Sequence, residues 1–226
     1  MNAVIYYSNT GACKRIAEYL ADKSGYILCD IYGIERYVFD TAILVFPVHC
    51  QNVPDAVKDF LSKLKVNALA VVAAYGKMSY GNVLYEVQKK YPHNIAAAAY
   101  VPTKHAYLEE KDFADLEKLD VLLEKLKNPS AVRIPKSHKN PFANFAPKLR
   151  SRVGVKLYSD AACNGCGICA AVCNVGGINN GKPNKNCIRC LKCVSACPQK
   201  ALHFKCGTAM RLYLKRRKRD ELILYI

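Results

Sequence analysis

Apolar positions along the first 128 residues alternate between two spacings. Short continuous runs recur at Asn2–Tyr7 (NAVIYY), Tyr26–Ile31, Thr41–Phe46 (TAILVF), Ala68–Tyr75 (ALAVVAAY) and Ile95–Val101. Runs of this length predict strands, with Ala68–Tyr75 a buried one and Ile95–Val101 a weaker one. Between them the spacing changes to three and four. Ile16, Ala17, Leu20 and Ala21 fall on one face of a helix over Gly11–Lys23, and Val57, Phe60, Leu61 and Leu64 on one face over Pro54–Lys65. Tyr80–Lys90 and Asp112–Leu126 repeat that pattern. Strands alternating with helices predict an α/β fold, a parallel sheet covered on both faces, and right-handed crossovers leave few topologies.

Beyond residue 128 the pattern breaks. Residues 129–154 are rich in Pro, Asn, Ser and basic side chains, which predicts a basic linker that packs, where it packs at all, through Phe142 and Phe145. A cysteine-rich module spans 155–205. Residues 206–226 read as a basic tail, a short helix ending in an apolar strand or cap. The 226 residues suffice for one ordinary domain and a small one. A hydrophobic content of 51% and a mean hydropathy of −0.05 are those of a soluble protein. No apolar run approaches the ~20 residues of a membrane span.

Eight cysteines add chemistry to this outline. Cys163, Cys166, Cys169 and Cys173 form one C-x2-C-x2-C-x3-C run; Cys187, Cys190, Cys193 and Cys197 form a second, offset by 24 residues at every position and followed by Pro198. This is the bacterial ferredoxin spacing, in which three cysteines of a run bind one 4Fe–4S cluster and the fourth ligates the other. It assigns Cys163, Cys166, Cys169 and Cys197 to one cluster, and Cys187, Cys190, Cys193 and Cys173 to the other. Thiolates two residues apart let a tight loop curl around a cubane, and the small Gly165, Gly167 and Ala170 permit close backbone approach. Structural zinc takes separated pairs rather than unbroken runs of four. Disulfides would need an oxidising compartment, whereas MNAVIYYS contains no apolar signal core, so the expected setting is a reducing cytoplasm. Asn174 stands where a proline often follows the fourth cysteine, which bears on the turn and not on ligation.

Charge is unevenly distributed. Residues 1–128 carry 15 Lys+Arg and 15 Asp+Glu, whereas residues 129–226 carry 19 and 3, so the whole +16 lies in the second part. Two oxidised clusters with their thiolates remove only about 4 units of it. Arg189 and Lys192 lie inside the second cysteine run, where positive charge favours the reduced cluster and attracts acidic partners.

The first predicted turn reads YYSNTGAC, a strand, a loop of small polar residues, then a helix. Backbone N–H groups there, with the hydroxyls of Ser8 and Thr10, suit a phosphate; an ordinary N-cap turn is the alternative. Residues 1–128 resemble the flavodoxin family, whose first loop reads roughly S/T-x-T-G-x-S/T around the FMN phosphate. Ser8, Thr10 and Gly11 match it, and Cys13 replaces the last hydroxyl. The resemblance implies a flavodoxin-like doubly wound parallel sheet, followed by a small α+β ferredoxin-like domain with two 4Fe–4S clusters. It also implies FMN contacts from Ser8, Asn9, Thr10, Gly11, Ala12 and Cys13. Further contacts come from Val48 and His49 in the loop after the third strand, and from Tyr75, Gly76, Tyr80 and Gly81 after the fourth. Tyr75 and Tyr80 are each either a stacking ring or part of the core. The whole order is similar to that of prokaryotic flavodoxin–ferredoxin fusions.

These features imply an electron-transfer protein that exchanges electrons with an acidic redox protein. A flavin-dependent reductase of a quinone or other small acceptor is the enzymatic alternative, and a ferredoxin whose first domain lacks flavin is another. No G-x-G-x-x-G suggests nicotinamide binding. The basic run Lys215–Arg219 supplies attraction without readout, so nucleic acid is not an expected partner, while a peripheral membrane contact is compatible with it. Cys29 and Cys50 read as small buried or loop residues, Cys206 as packing against the cysteine-rich module, and His93, His105, His138 and His203 show no catalytic pairing.

Overall fold

In a computed structural model, which describes residues 1–145, 147–216 and 218–226, the five apolar runs form β1 (Asn2–Tyr6), β2 (Ile27–Asp30), β3 (Val38–Pro47), β4 (Lys65–Tyr75) and β5 (Ile95–Pro102). All four pairings among them are parallel, in the order 2-1-3-4-5, one of the two common doubly wound arrangements. Two residues of the basic stretches named above, Ala146 and Arg217, lie outside the described residues.

Because side chains alternate along a strand, neighbouring residues feed different cores. Ile5, Leu44, Phe46 and Val71 pack with Val57, Phe60 and Leu61 of α2 (Asp55–Lys63) and Leu84 of α3 (Val83–Lys90). Val4, Ile43, Val45 and Val72 pack with Ile16 and Leu20 of α1 (Ala12–Ser24) and Leu122 of α4 (Asp120–Lys127). Each fully buried Leu, Ile or Val contributes about 1.5–3 kcal/mol, so these two layers carry most of the cohesion of the sheet.

Two helices start later than their periodicity predicts. Gly81 has φ +62°, and a Cβ there would lie 2.7 Å from the Gln51 side chain; this tight turn delays α3 to Val83. Asp112 does not begin a helix, because its carboxylate accepts the N–H groups of Lys104 (3.1 Å) and Phe113 (3.0 Å). Such side-chain-to-backbone bonds compete with the helical ladder. A 3₁₀ turn over Leu116–Leu119 intervenes before α4.

The stretch expected as a linker is mostly exposed but anchored at several points. Val132 N–H donates to the Ile95 carbonyl, the Gln88 side chain bonds both Val132 and Ile134, and Ile134 is buried. Phe142 and Phe145, expected to hold it down, are instead exposed. Residues 147–154 form α5 (Pro147–Gly154). The chain then builds a second unit. β6 (Val155–Ser159) pairs antiparallel with β9 (Leu202–Cys206). Between them lie α6 (Ile168–Ala171), the hairpin of β7 (Ile178–Asn179) and β8 (Lys182–Pro183), and α7 (Lys192–Ser195); α8 (Thr208–Leu214) follows. Finally β10 (Ile223–Tyr225) pairs antiparallel with β5. The two compact units are therefore Met1–Ala143 with Lys218–Ile226, and Asn144–Arg217.

Candidate metal centres and nucleotide loop

The 24-residue offset of the cysteine runs extends to the backbone. Gly165, Gly167 and Gly176 have φ of 72°, 76° and 57°; their counterparts Arg189, Leu191 and Lys200 have 59°, 63° and 51°. Hydrogen bonds repeat as well. Cys163 N–H donates to Asp160 O and Cys187 N–H to Asn184 O, while Cys173 N–H donates to Ala170 O and Cys197 N–H to Val194 O. The side chains of Asp160 and Asn184 accept the N–H groups of Ala162 and Asn186. In the second copy three residues with side chains adopt the left-handed conformation, at roughly 1–2 kcal/mol each. The loop shape is thus held even where glycine would be cheaper.

In the first half, Cys163, Cys166 and Cys169 line one cavity together with Cys197 of the second run. Gly181 forms part of its wall; a Cβ there would meet Ser159 Oγ at 2.8 Å and Cys163 Sγ at 3.4 Å. In the second half, Cys187, Cys190 and Cys193 lie near Cys173 of the first run. Burial raises the Cys190 thiol; the Lys192 N–H opposes that rise, and charge on Cys173 and Cys187 adds to it. Cys193 is pushed up to about 12, by burial first and then by Cys190, Cys187 and Cys173. Cys190 and Cys193, whose ionisation is opposed by burial and by neighbouring thiols, are groups that a bound cationic metal would relieve. Gly177 N–H donates to Cys173 Sγ at 3.0 Å, and a Cβ on Gly177 would lie 2.6 Å from the Cys187 Cα. Gly177 and Gly181 were missed by the sequence reading; the signal was their place between the runs, where backbone must approach sulfur. Among the described residues, no group of three or more His, Cys, Asp or Glu converges on a single ion.

Arg189 is not on the surface. It is 9% exposed and its Nε donates to the Val155 carbonyl at 2.8 Å, which removes it from the expected docking face. Lys192 is partly exposed, with Nζ bonded to Asn174 Oδ1 at 3.3 Å.

In the N-terminal unit, the loops after β1, β3 and β4 leave the same end of the parallel strands. The order reverses between β1 and β3, the position where doubly wound sheets bind ligands. Ser8 Oγ is buried there without a hydrogen-bond partner. A buried hydroxyl left so costs about 1–3 kcal/mol, and a ligand phosphate oxygen would satisfy it. Thr10 and Gly11 are exposed, and Gly11, at φ 94°, caps the helix that Ala12 begins. Asn9 Nδ2 donates to His49 Nε2 at 3.0 Å, and burial lowers the His49 pKa to about 4, so the ring is a neutral acceptor. Val48 N–H donates to the Ala74 carbonyl, holding the loop after β3 against the end of β4.

Three of the expected contacts sit in packed surroundings. Cys13 is buried in the core beneath α1, its thiol raised by burial, and does not face the loop. Tyr75 is 1% exposed, with its hydroxyl donating to the Glu221 carbonyl at 2.7 Å, and takes the core alternative. Gly76 packs against His105, since a Cβ there would meet the His105 ring at 2.7 Å. Tyr80 is half-buried, stacked on Tyr100 with ring centroids 4.2 Å apart and Arg219 over its ring at 5.7 Å; Gly81 abuts Gln51. The phosphate end of an FMN site fits this loop set, whereas a ring seat built on Tyr75 does not.

Among the described residues no helix is long and apolar enough to cross a membrane. A family model, Fer4, the 4Fe-4S binding domain, matches residues 184–203, the stretch that holds the whole second cysteine run. That match supports a 4Fe–4S cluster in this region and a role in iron–sulfur electron transfer. No curated protein matches the sequence. Among solved structures, the Trp repressor binding protein from Bacillus subtilis aligns with 58% of this chain and 100% of its own, at 14% identity and a TM-score of 0.36; a likeness at that level carries no argument.

Proposed function

We propose that this chain is an iron–sulfur flavoprotein that moves electrons between two 4Fe–4S clusters, an FMN and an external acidic redox protein. One cluster is assigned to Cys163, Cys166, Cys169 and Cys197, the other to Cys187, Cys190, Cys193 and Cys173. The observation that supports this reading is that the fourth cysteine of each run lies beside the other run. Cys197 lines the cavity of the first run, while Cys173 is near enough to oppose ionisation in the second. Two independent zinc knuckles would have no reason to interlock in that way.

The flavin assignment rests on the flavodoxin-like strand order and on Ser8. The residues that would hold FMN are Ser8 with the backbone of Asn9–Ala12 at the phosphate, and Val48 and His49 beside it. Flavin exchanges one or two electrons whereas each cluster carries one, so a chain holding both would link one- and two-electron partners. The protein contributes positioning and polarity. Neutral His49 keeps a cation away from Asn9, and the buried loop contacts exclude water from the Ser8 hydroxyl.

A second reading, a ferredoxin-type carrier whose first unit holds no flavin, is favoured by the burial of Tyr75 and the occupied ring of Tyr80. Anaerobic purification with iron, sulfide and flavin analysis separates the two. The proposal expects two clusters and one FMN per chain. Clusters without flavin support the second reading; colourless or zinc-loaded protein overturns both.

A further inference from the structure

We propose that α5 and α8 of the second unit form a docking face for an anionic lipid bilayer. The inference goes beyond the redox reading and does not depend on flavin. α5 is packed inside out: Ser151 is buried, while Leu149 is 52% and Val153 78% exposed, one turn apart on the same side. Phe145, four residues before Leu149, is exposed as well. α8 packs beside α5, with the Gly207 N–H donating to Gly154 O at 2.9 Å and Met210 Cε 3.0 Å from the position of a Gly154 Cβ. α8 buries Leu214 and exposes Leu212 at 62%. Large aliphatic side chains turned outward on two adjoining helices, with a serine inward, have no use in the unit's own core.

The charge around them specifies the occupant. Residues 144–217 contain 14 Lys+Arg and one acid, Asp160. That acid pairs with His203 at 2.7 Å, beside the Ser159–Leu202 end of the β6–β9 ladder. The helices join the opposite, Val155–Cys206 end, about 14 Å away for five paired residues. Arg211, Lys215 and Arg216 are exposed on and just after α8, so no acid of this unit offsets them locally. Exposed aliphatic residues flanked by Lys and Arg on short helices match an interfacial membrane contact, in which the apolar groups enter below the headgroups and the cations reach phosphate. A protein partner's interface would draw its energy from Trp, Tyr and Arg, with Leu and Val under-represented. α5 also adjoins the second cysteine loop, through Arg152 Nη1 to Lys185 O at 2.8 Å, and β6, which follows it, through Arg189 Nε to Val155 O. A bilayer seated there would lie next to that loop.

The test uses the full, reconstituted chain and vesicle flotation, with phosphatidylcholine alone and with added phosphatidylglycerol. Wild type is expected to float with the anionic vesicles only. Replacing Arg211, Lys215 and Arg216 with Gln is expected to weaken binding about a hundredfold. Leu149→Ser with Val153→Ser and Leu212→Ser is expected to weaken it by about tenfold or more. Circular dichroism and iron content check folding, and the single Val153→Ser variant decides the matter if the triple one unfolds. Absence of anionic-vesicle binding, or undiminished binding by the apolar variants, overturns the proposal. Capture of poly-glutamate without vesicle binding does so too, and assigns the face to an acidic protein. Cluster and flavin analysis of the same samples keeps a failure here distinct from a failure of the redox assignment.

Discussion

Gly177 occupies a position where a single methyl group has a defined cost. Its N–H reaches Cys173 Sγ, and its missing Cβ leaves room for the Cys187 backbone, whose Cα and N would lie 2.6 and 2.9 Å from that atom. Neither contact is with the end of a flexible side chain, so Gly177→Ala must displace main chain, at roughly 1–3 kcal/mol. The displaced residues, Cys173 and Cys187, belong to the same proposed ligand set. Gly177→Ala is therefore expected to lower iron and acid-labile sulfide toward the one-cluster value and to leave the first site filled. Unchanged stoichiometry and visible spectrum would remove Gly177 from the site. The second cysteine run, which the 4Fe-4S family model also matches, was legible because thiolate spacing along a chain is a direct imprint of cluster geometry. Gly177 was not, since its role is a close approach to a residue ten positions later. The burial of Arg189 was hidden for the same kind of reason: its bond to Val155 crosses 34 residues.

At the level of elements, periodicity marked every strand of the parallel sheet but misplaced the starts of α3 and α4. In both cases a local side chain or turn took over the backbone, through Gly81 against Gln51 and through the Asp112 carboxylate. Loops carry the least periodic signal and the most polar bonding, and two histidines show what that bonding does. His49 Nε2 accepts from Asn9, and His105 Nδ1 accepts the Tyr107 N–H at 3.2 Å. Burial depresses both rings to about 4. The unfolded chain, with its histidines near 6.5, takes up protons first as the pH falls. The stability these rings contribute is whole above about pH 6.5 and is lost progressively down to about pH 4. Unfolding in urea is expected to shift to a lower midpoint between pH 7 and pH 5, by on the order of 1 kcal/mol per ring. His49→Gln with His105→Gln should flatten that dependence, and an unaltered slope would show that other groups control it.

The whole molecule departs most from a linear reading, because the N-terminal unit is discontinuous. Residues 144–217 stand between Ala143 and Lys218, and the last nine residues complete the first unit's sheet. β5 is buried along its entire length, with β4 on one side and β10 on the other. Leu222 and Leu224 pack into the core beneath α1, and Ile223 and Tyr225 into the opposite one. The Tyr75 hydroxyl bonds both the carbonyl and the N–H of Glu221, at 2.7 and 3.3 Å. Lys77 pairs with Asp220 at 3.1 Å, and its carbonyl accepts the Arg219 N–H at 2.6 Å. A run of basic residues followed by a few apolar ones gives no hint in sequence of a strand partner more than 100 residues earlier. Removing residues 218–226 leaves a buried tyrosine hydroxyl unpaired, at about 1–3 kcal/mol, and opens the edge of an alanine-rich apolar strand to other chains. The shortened protein is expected to aggregate on release from the ribosome or to unfold at a midpoint lower by several degrees. Its cysteine unit, which keeps every one of the eight thiols, is expected to retain the iron-dependent absorption. A truncated chain as stable and monodisperse as the full one would mean that β10 is an ornament on the sheet and not its closing strand.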